Sequence, residues 1–463
     1  MSASGGGVRG GEEGSAVPAP AVRAGVDAEG PAAPPPAPLS DSAAGLLTVV
    51  ELVRSGAART RTELAAATGW TRAVVTQRID QAKRRGYLED GPFAPSSGGR
   101  APRTLRFRAD QGILLVCVVG ERELRVGVTD LEGVVLARGG RDRDGADGPE
   151  ETVAAVIGLL DVLLDEEGFA ARVWGVAVGV PGPVDSATGR PVASPALPGW
   201  DGADLRSRLV DRFDAPVWVD EDAHLLALAE GRSPRWGAGA DLVRIEAGTR
   251  IAVSLLSRGS LLRGASGAAG DIGHLRVPGG THLCRCGRTG CLEAEAGGWA
   301  LVRDAHLAVA AGRSAALARR AEEGGPLTPA DVAAAAQDGD QVSGELVLRS
   351  AGLIGQAVAT LVTVVGPSAV VVGGPLASAG ELFLDGVRRS VLESSSPLAT
   401  RDLLVVPSTE DDDALLVGGA ELLRDQLFEV SFAQWFEQGH PSPSVMHSRA
   451  GRERASSRPP LTR

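Results

Sequence analysis

The chain has 463 residues and a formal net charge of −11, with 43% hydrophobic and 23% charged side chains. That composition excludes wholesale disorder, and with no uninterrupted run of about 18 apolar residues no membrane partner is expected. The opening stretch from Met1 lacks the apolar core of a signal peptide, so a cytoplasmic location is expected.

Charge is unevenly placed. Residues 43–108 hold 12 basic and five acidic side chains, whereas the rest of the chain is acidic. A small basic module on a large acidic body fits a nucleic-acid-binding head joined to another domain.

Residues 1–42 are rich in Gly, Ala and Pro, with Pro34-Pro35-Pro36 at their centre, and are expected to form a disordered arm. Residues 43–108 read as the first folded unit. Leu46, Leu47, Val50 and Val53 recur at three- and four-residue spacing and predict an amphipathic helix over Ala43–Val53. A short second helix is expected over Thr62–Thr68. Gly69 then supplies a turn and Thr71 a cap for a third helix running to about Arg85. Two helices joined by a tight Gly-bearing turn are a helix-turn-helix. The segment from Gly86 to Phe107 reads as a β-wing with its tip at Gly98-Gly99-Arg100, which makes the unit a winged helix.

In that module Thr71, Arg72, Val75, Thr76 and Arg78 open the third helix and are the candidate readers of a major groove. Arg100 at the slim wing tip is the candidate for an adjacent minor groove. The expected partner is a double-stranded DNA operator. A basic hairpin that docks on protein is the plainer alternative.

From Ile113 onward the pattern alternates. Strands are expected at Ile113–Val119, Arg125–Thr129, Val173–Val178, Val217–Val219, Val243–Ile245, Ile251–Leu256, Ala369–Val372 and Leu403–Val406. Helices are expected at Val153–Leu164, Leu205–Arg212, Ala223–Glu230, Ala300–Ala311 and Ser343–Val365, and Thr328-Pro329-Ala330-Asp331 has the order of a helix start. Such alternation means an α/β fold, with room for two successive units.

Three of the four cysteines, Cys284, Cys286 and Cys291, fall within eight residues, downstream of His274. Three thiolates and one imidazole make a closed tetrahedral zinc site with no open position for a catalytic water, so the zinc is expected to be structural. His282 is a rival fourth ligand, but so near Cys284 it would strain the chelate.

Winged helix, α/β body and the stretch from Gly273-His274 through Cys284-Arg285-Cys286-Gly287 to Gly290-Cys291-Leu292-Glu293 together resemble the ROK family. That family joins sugar-responsive repressors and sugar kinases. The resemblance implies a two-lobed actin- and hexokinase-like, ribonuclease-H-like body over 109–425 with a sugar in its cleft. It also implies a homodimer or homotetramer of the xylose- or N-acetylglucosamine-repressor type. By composition, residues 426–463 are expected to form a partly disordered tail, Ser/Pro/Arg-rich and loose from about Gln438.

The same resemblance argues against catalysis. The family's kinases carry Asp-x-Gly-x-Thr on the first strand, where this chain reads Val118-Val119-Gly120-Glu121-Arg122. Their second phosphate loop is Gly-Thr-Gly-Ile-Gly, against Gly248-Thr249-Arg250-Ile251-Ala252 here. Phosphoryl transfer rests on positioning and charge stabilisation, and both loops are altered. No enzyme activity is expected, although Asp222 matches the family's catalytic base.

For sugar binding the resemblance implies Asp222, His274 and Glu293 as matching positions, with His274 also on zinc. Glu221 and Asp271 stand where the family has Asn and Glu. Four carboxylates in one site predict a raised pKa for one of them and a preference for a polyol, an amino sugar with its cationic amine, or no ligand at all. The expected function is a transcriptional regulator, a repressor, of carbohydrate metabolism genes, gated by a sugar or sugar derivative. Two alternatives are a sugar kinase with an accessory DNA-binding head and a constitutive DNA binder with a vestigial cleft.

Overall fold

The computed structural model describes residues 41–94, 102–169, 171–192, 194–237, 239–409, 411–436 and 438–444. The wing tip with Arg100, residues 1–40 of the expected arm and residues 445–463 of the expected tail lie outside them.

The head consists of α1 (Asp41–Arg54), α2 (Arg61–Thr68), α3 (Arg72–Arg84), β1 (Leu88–Phe93) and β2 (Arg103–Phe107). Its caps explain the boundaries. Thr60 and Glu63 form a reciprocal capping box at the start of α2, and the Thr71 hydroxyl accepts from the Val74 N–H at the start of α3. β1 and β2 pair antiparallel, Leu88 opposite Phe107, as the stem of the wing. The core of this unit is Leu46, Val50, Val53, Leu64, Val75 and Ile79.

Two five-stranded sheets of one topology form the body. In the first, β5 (Val135–Asp142), β4 (Glu123–Asp130) and β3 (Gly112–Val119) run antiparallel. β3 then pairs parallel with β6 (Arg172–Val180), and β6 with the strand Val217–Glu221. The second repeats that order with Ser260–Leu261, Ile251–Ser257, Leu242–Ala247, Ala369–Gly373 and Leu404–Pro407. The unbroken apolar run of β3, buried at every position, is what a central strand covered on both faces requires.

The helix Asp222–Arg232 touches strands of both sheets and packs on the helix Ala414–Arg424, so this pair lies between the lobes. In the second lobe the helix Gln341–Val365 is, among the described residues, the one long and apolar enough to cross a membrane by length and composition. Its buried stripe, Val347, Ala351, Ile354, Val358 and Val362, belongs to that lobe's core.

The first part of the expected partly disordered tail, after Arg424, is ordered. A π-helix, Asp425–Val430, and a short helix, Phe432–Trp435, carry Phe428, Phe432 and Trp435, all buried. Phe428 meets Phe107 of the head edge-on at 5.5 Å, and Trp435 meets Trp174 of β6 at 5.1 Å. Tyr87 donates its hydroxyl to the Phe436 carbonyl at 2.7 Å, and the Arg54 guanidinium lies 5.1 Å above the Phe428 ring. Burying these rings opposes the ordering entropy of the segment and ties it to its neighbours. The segment joins head to body in one core cluster.

Candidate functional site

The recognition face of α3 differs in part from expectation. Arg72, Ala73 and Gln77 are exposed, as is the capping residue Thr71, and Thr76 is half-buried. Val75 is fully buried with Ile79 and Ala82 and holds the helix to the head's core, so it is corrected from a base-reading residue to a packing one. Arg78 is half-buried, donates to Gln81 at 2.9 Å and lies against Gly45 of α1, which turns it from the outer face. The helical period was the available signal. With Val75, Ile79 and Ala82 inward, the outward positions are 73, 77, 80 and 84. Gln77 lies on this outward face and is not among the residues singled out from the sequence.

The metal-ligating cluster assembles as expected. One donor atom from each of His274, Cys284, Cys286 and Cys291 lies within 4.8 Å of the others. Cys284 Sγ is 3.7 Å from His274 Nδ1, and Cys286 Sγ is 3.7 Å from Cys291 Sγ. A tetrahedron with metal–sulfur bonds of about 2.3 Å has edges of about 3.8 Å, so the donor set fits zinc. Burial opposes the Cys286 thiolate, but hydrogen bonds from Arg288 and from the neighbouring thiols lower the pKa of that thiol, whereas burial raises those of Cys284 and Cys291. Gly290, at φ +80°, lets the hairpin fold back, since a Cβ there would press on the Gly280 carbonyl at 2.7 Å. His282 is held elsewhere, with its Nδ1 2.7 Å from Glu295.

The cleft gathers Glu221, Arg250, Asp271, His274 and Glu293 around a cavity of about 30 Å³, with Asp222 at its edge. Glu221 ends the last strand of the first sheet, and Asp222 opens the inter-lobe helix. Glu293 is buried and accepts from the Trp299 indole at 3.1 Å, while Asp271 is exposed. His274 faces both ways, lining the cleft while its Nδ1 stands near Cys284. Burial raises the Glu221 carboxyl above its ordinary range despite the guanidinium beside it.

That guanidinium was not foreseen in this place. Arg250, from the altered second phosphate loop, donates Nη1 to Glu221 at 3.2 Å and Nη2 to Asp222 at 2.9 Å. One of the four carboxylate charges expected in the cleft is therefore balanced from within, where Arg250 bridges Glu221 and Asp222. A second cluster lies beside it, where Asp220 takes His224 Nδ1 at 2.6 Å and Arg263 at 2.7 Å. Those two cations hold Asp220 well below the usual carboxylate range against the effect of burial. The turn between β3 and β4, where the family's first phosphate motif would fall, is closed by hydrogen bonds. The Gly120 N–H donates to the Glu123 carbonyl, and the Arg143 side chain donates to the Glu121 and Asp147 carbonyls.

A model of the ROK family matches residues 116–426. The chain belongs to the ROK family. A xylose repressor of Caldicellulosiruptor bescii is 26% identical over 373 residues, covering 80% of this chain and 93% of that protein. The crystal structure of a ROK family transcriptional regulator, a homologue of the E. coli MLC protein, superposes with TM-score 0.72 at 22% identity. It covers 84% of this chain and 96% of that one. A ROK family glucokinase from Streptomyces griseus, in complex with glucose and AMPPNP, gives 0.59 at 28% identity over 68% of this chain and all of that one. The glucokinase match stops short of the full chain, whereas the regulator's coverage extends further. The fold is thus α/β, a helix-turn-helix head on a sugar-kinase-like ROK body.

Proposed function

We propose that this ROK protein is a DNA-binding transcriptional regulator of carbohydrate metabolism genes, a repressor that answers to a sugar or sugar derivative. The observation that carries the reading is the head, which presents Arg72, Ala73 and Gln77 outward on a capped helix beside a wing. Xylose repressors and a solved regulator among its relatives support the same class. Two heads, brought together by a homodimer or homotetramer, would read two half-sites of a double-stranded operator. Arg100 at the wing tip is proposed for the minor groove, and Arg72 with Thr71 and Thr76 for the major groove and its phosphates.

Catalysis is proposed to be lost. A phosphate loop serves by leaving backbone amides free, and here the Gly120 amide is already spent on Glu123 while Arg250 fills the approach to Asp222. Glu221, Asp222, Asp271, His274 and Glu293 are proposed to line the effector's place. His274, Cys284, Cys286 and Cys291 are proposed to hold a structural zinc, which when bound would pin the loop that presents Glu293.

The test has two arms. Selection of DNA sequences by the full chain, followed by fluorescence anisotropy with and without sugars, should yield a two-fold operator whose affinity a sugar changes. A coupled ATP-consumption assay with a hexose panel should stay at background. Turnover abolished by Asp222→Asn would establish the rival reading, a sugar kinase with an accessory head, which glucokinase relatives favour. Operator binding indifferent to every sugar would instead favour a vestigial cleft.

A further inference from the structure

The cleft as it stands has no place for a sugar. Its volume of about 30 Å³ holds on the order of two waters, whereas small-molecule sites span roughly 300–1,000 Å³. One of the side chains that line it also crosses it. Arg250 rises from the turn between Leu242–Ala247 and Ile251–Ser257 in the second lobe and reaches the first lobe at Glu221, and Asp222 where the inter-lobe helix begins. All three side chains are at least three-quarters buried, at 17%, 15% and 25% exposure respectively, so the contact is an enclosed bridge across the cleft.

We propose that Arg250 is a tethered occupant of the effector site, and that the ligand able to take its place carries a cation of its own, as an amino sugar does. This rests on the reading of the cleft as an effector site and names the ligand class it takes.

The choice of class follows from what each ligand leaves behind. A neutral sugar that pushed the guanidinium aside would leave Glu221 and Asp222 enclosed and unpaired, and removing one partner of a buried pair is strongly unfavourable. A phosphorylated or acidic sugar would add a third negative charge at the same point. An amino sugar replaces one cation by another. Its ammonium can stand between Glu221 and Asp222, while its hydroxyls reach His274 and Glu293. The neighbouring Asp220 offers no such place, because Arg263 and His224 already neutralise it.

A seated Arg250 also sets affinity. Apparent binding is weakened by the fraction of molecules in which the site is free, so removing the occupant strengthens it. Calorimetric titration of the full chain with glucosamine, glucose and glucose 6-phosphate tests this. The expected order for the wild-type chain is glucosamine first and glucose 6-phosphate last. Arg250→Ala should tighten glucosamine by roughly tenfold or more, as expected if the site is free in a tenth of molecules or fewer. Arg250→Gln keeps most of the bulk without the charge and serves if the Ala variant does not fold.

Glucose 6-phosphate binding best, or glucosamine unchanged or weakened in both variants, overturns the proposal. So does silence of all three sugars with wild-type chain and variants alike. Operator binding by the same preparations separates the two levels. Retained DNA binding without any sugar binding removes the occupant idea and leaves the regulator standing, and loss of both removes the regulator reading as well.

Discussion

Phe428→Ala tests whether the C-terminal aromatic segment holds the DNA-binding head on the body. The ring is 1% exposed and meets Phe107 at 5.5 Å, Trp435 at 5.8 Å and Phe432 at 6.1 Å, with Arg54 over its face. Truncating a buried Phe to Ala costs about 3–5 kcal/mol. The upper half of that range applies, because the site also loses several ring pairs and a desolvated cation–π contact. Two of the lost contacts, Phe107 and Arg54, belong to the head, so the loss falls on its attachment. Scanning calorimetry should resolve an early transition of the head in the variant, absent from the wild-type trace. Phe93→Ala, at a side chain 63% exposed on the wing, should leave the trace unchanged. A Phe428→Ala protein whose single transition moves by less than about 1 kcal/mol would falsify the attachment.

Other outcomes separate the remaining assignments. Cys286→Ser should lower zinc from near one per chain to well below it by elemental analysis, because a three-ligand remnant no longer closes the tetrahedron; unchanged content would reject the ligand set. Val75→Ala should destabilise the head by about 2 kcal/mol, two methyl groups plus a partial cavity. Arg72→Ala should weaken operator binding with the melting profile intact, and unchanged binding would reject Arg72 as a DNA contact. For pH, burial opposes the His224 charge but Asp220 outweighs it, raising the imidazole above 6.5. The pair's contribution is then complete below about 6.5 and lost as pH rises through the raised value. Urea midpoints from pH 5 to 9 should fall more steeply for the wild-type chain than for His224→Gln; parallel curves would count against a charged pair.

What could be read from the chain follows the range of the forces involved. The start of α3 at Thr71 and the helix start at Thr328 were legible because a cap is a contact over three residues, and both form as expected. The Cys3His cluster was legible because a chelate demands close spacing. β5 was missed because it is an edge strand whose outer half, Gly139 to Asp142, has no apolar alternation. Val75 was misplaced by one helical face, an error of phase within a correctly placed helix. Arg250 lay beyond reach, since nothing local says that it points 28 residues back onto Asp222. The aromatic segment did carry a signal. In a chain with 3% aromatic residues, Phe428, Phe432, Trp435 and Phe436 lie within nine positions, a density that a loose tail has no use for.

Arg250 and the aromatic segment share one line of contact. Asp222, under Arg250, opens the helix Asp222–Arg232, and Arg232 at its far end is ion-paired with Glu421. Glu421 also pairs with Arg424, after which the helix Ala414–Arg424 runs without a loop into the π-helix carrying Phe428. Between the two helices there is no room for a methyl group. A Cβ on Gly418 would collide with the Leu225 carbonyl, so they touch backbone to backbone. Closely packed elements shift together because an interior this dense does not deform gradually. If the cleft end of the first helix rotates, this packing predicts that the rotation reaches Phe428 and, through Arg54 and Phe107, the head. Gly418→Ala should force the helices apart. The expected result is a lower melting temperature and altered operator affinity at unchanged zinc content, because the Cys3His loop lies on the other lobe. A Gly418→Ala chain that melts and binds DNA like the wild type would mean that the two helices yield independently and that the cleft has no rigid route to the head.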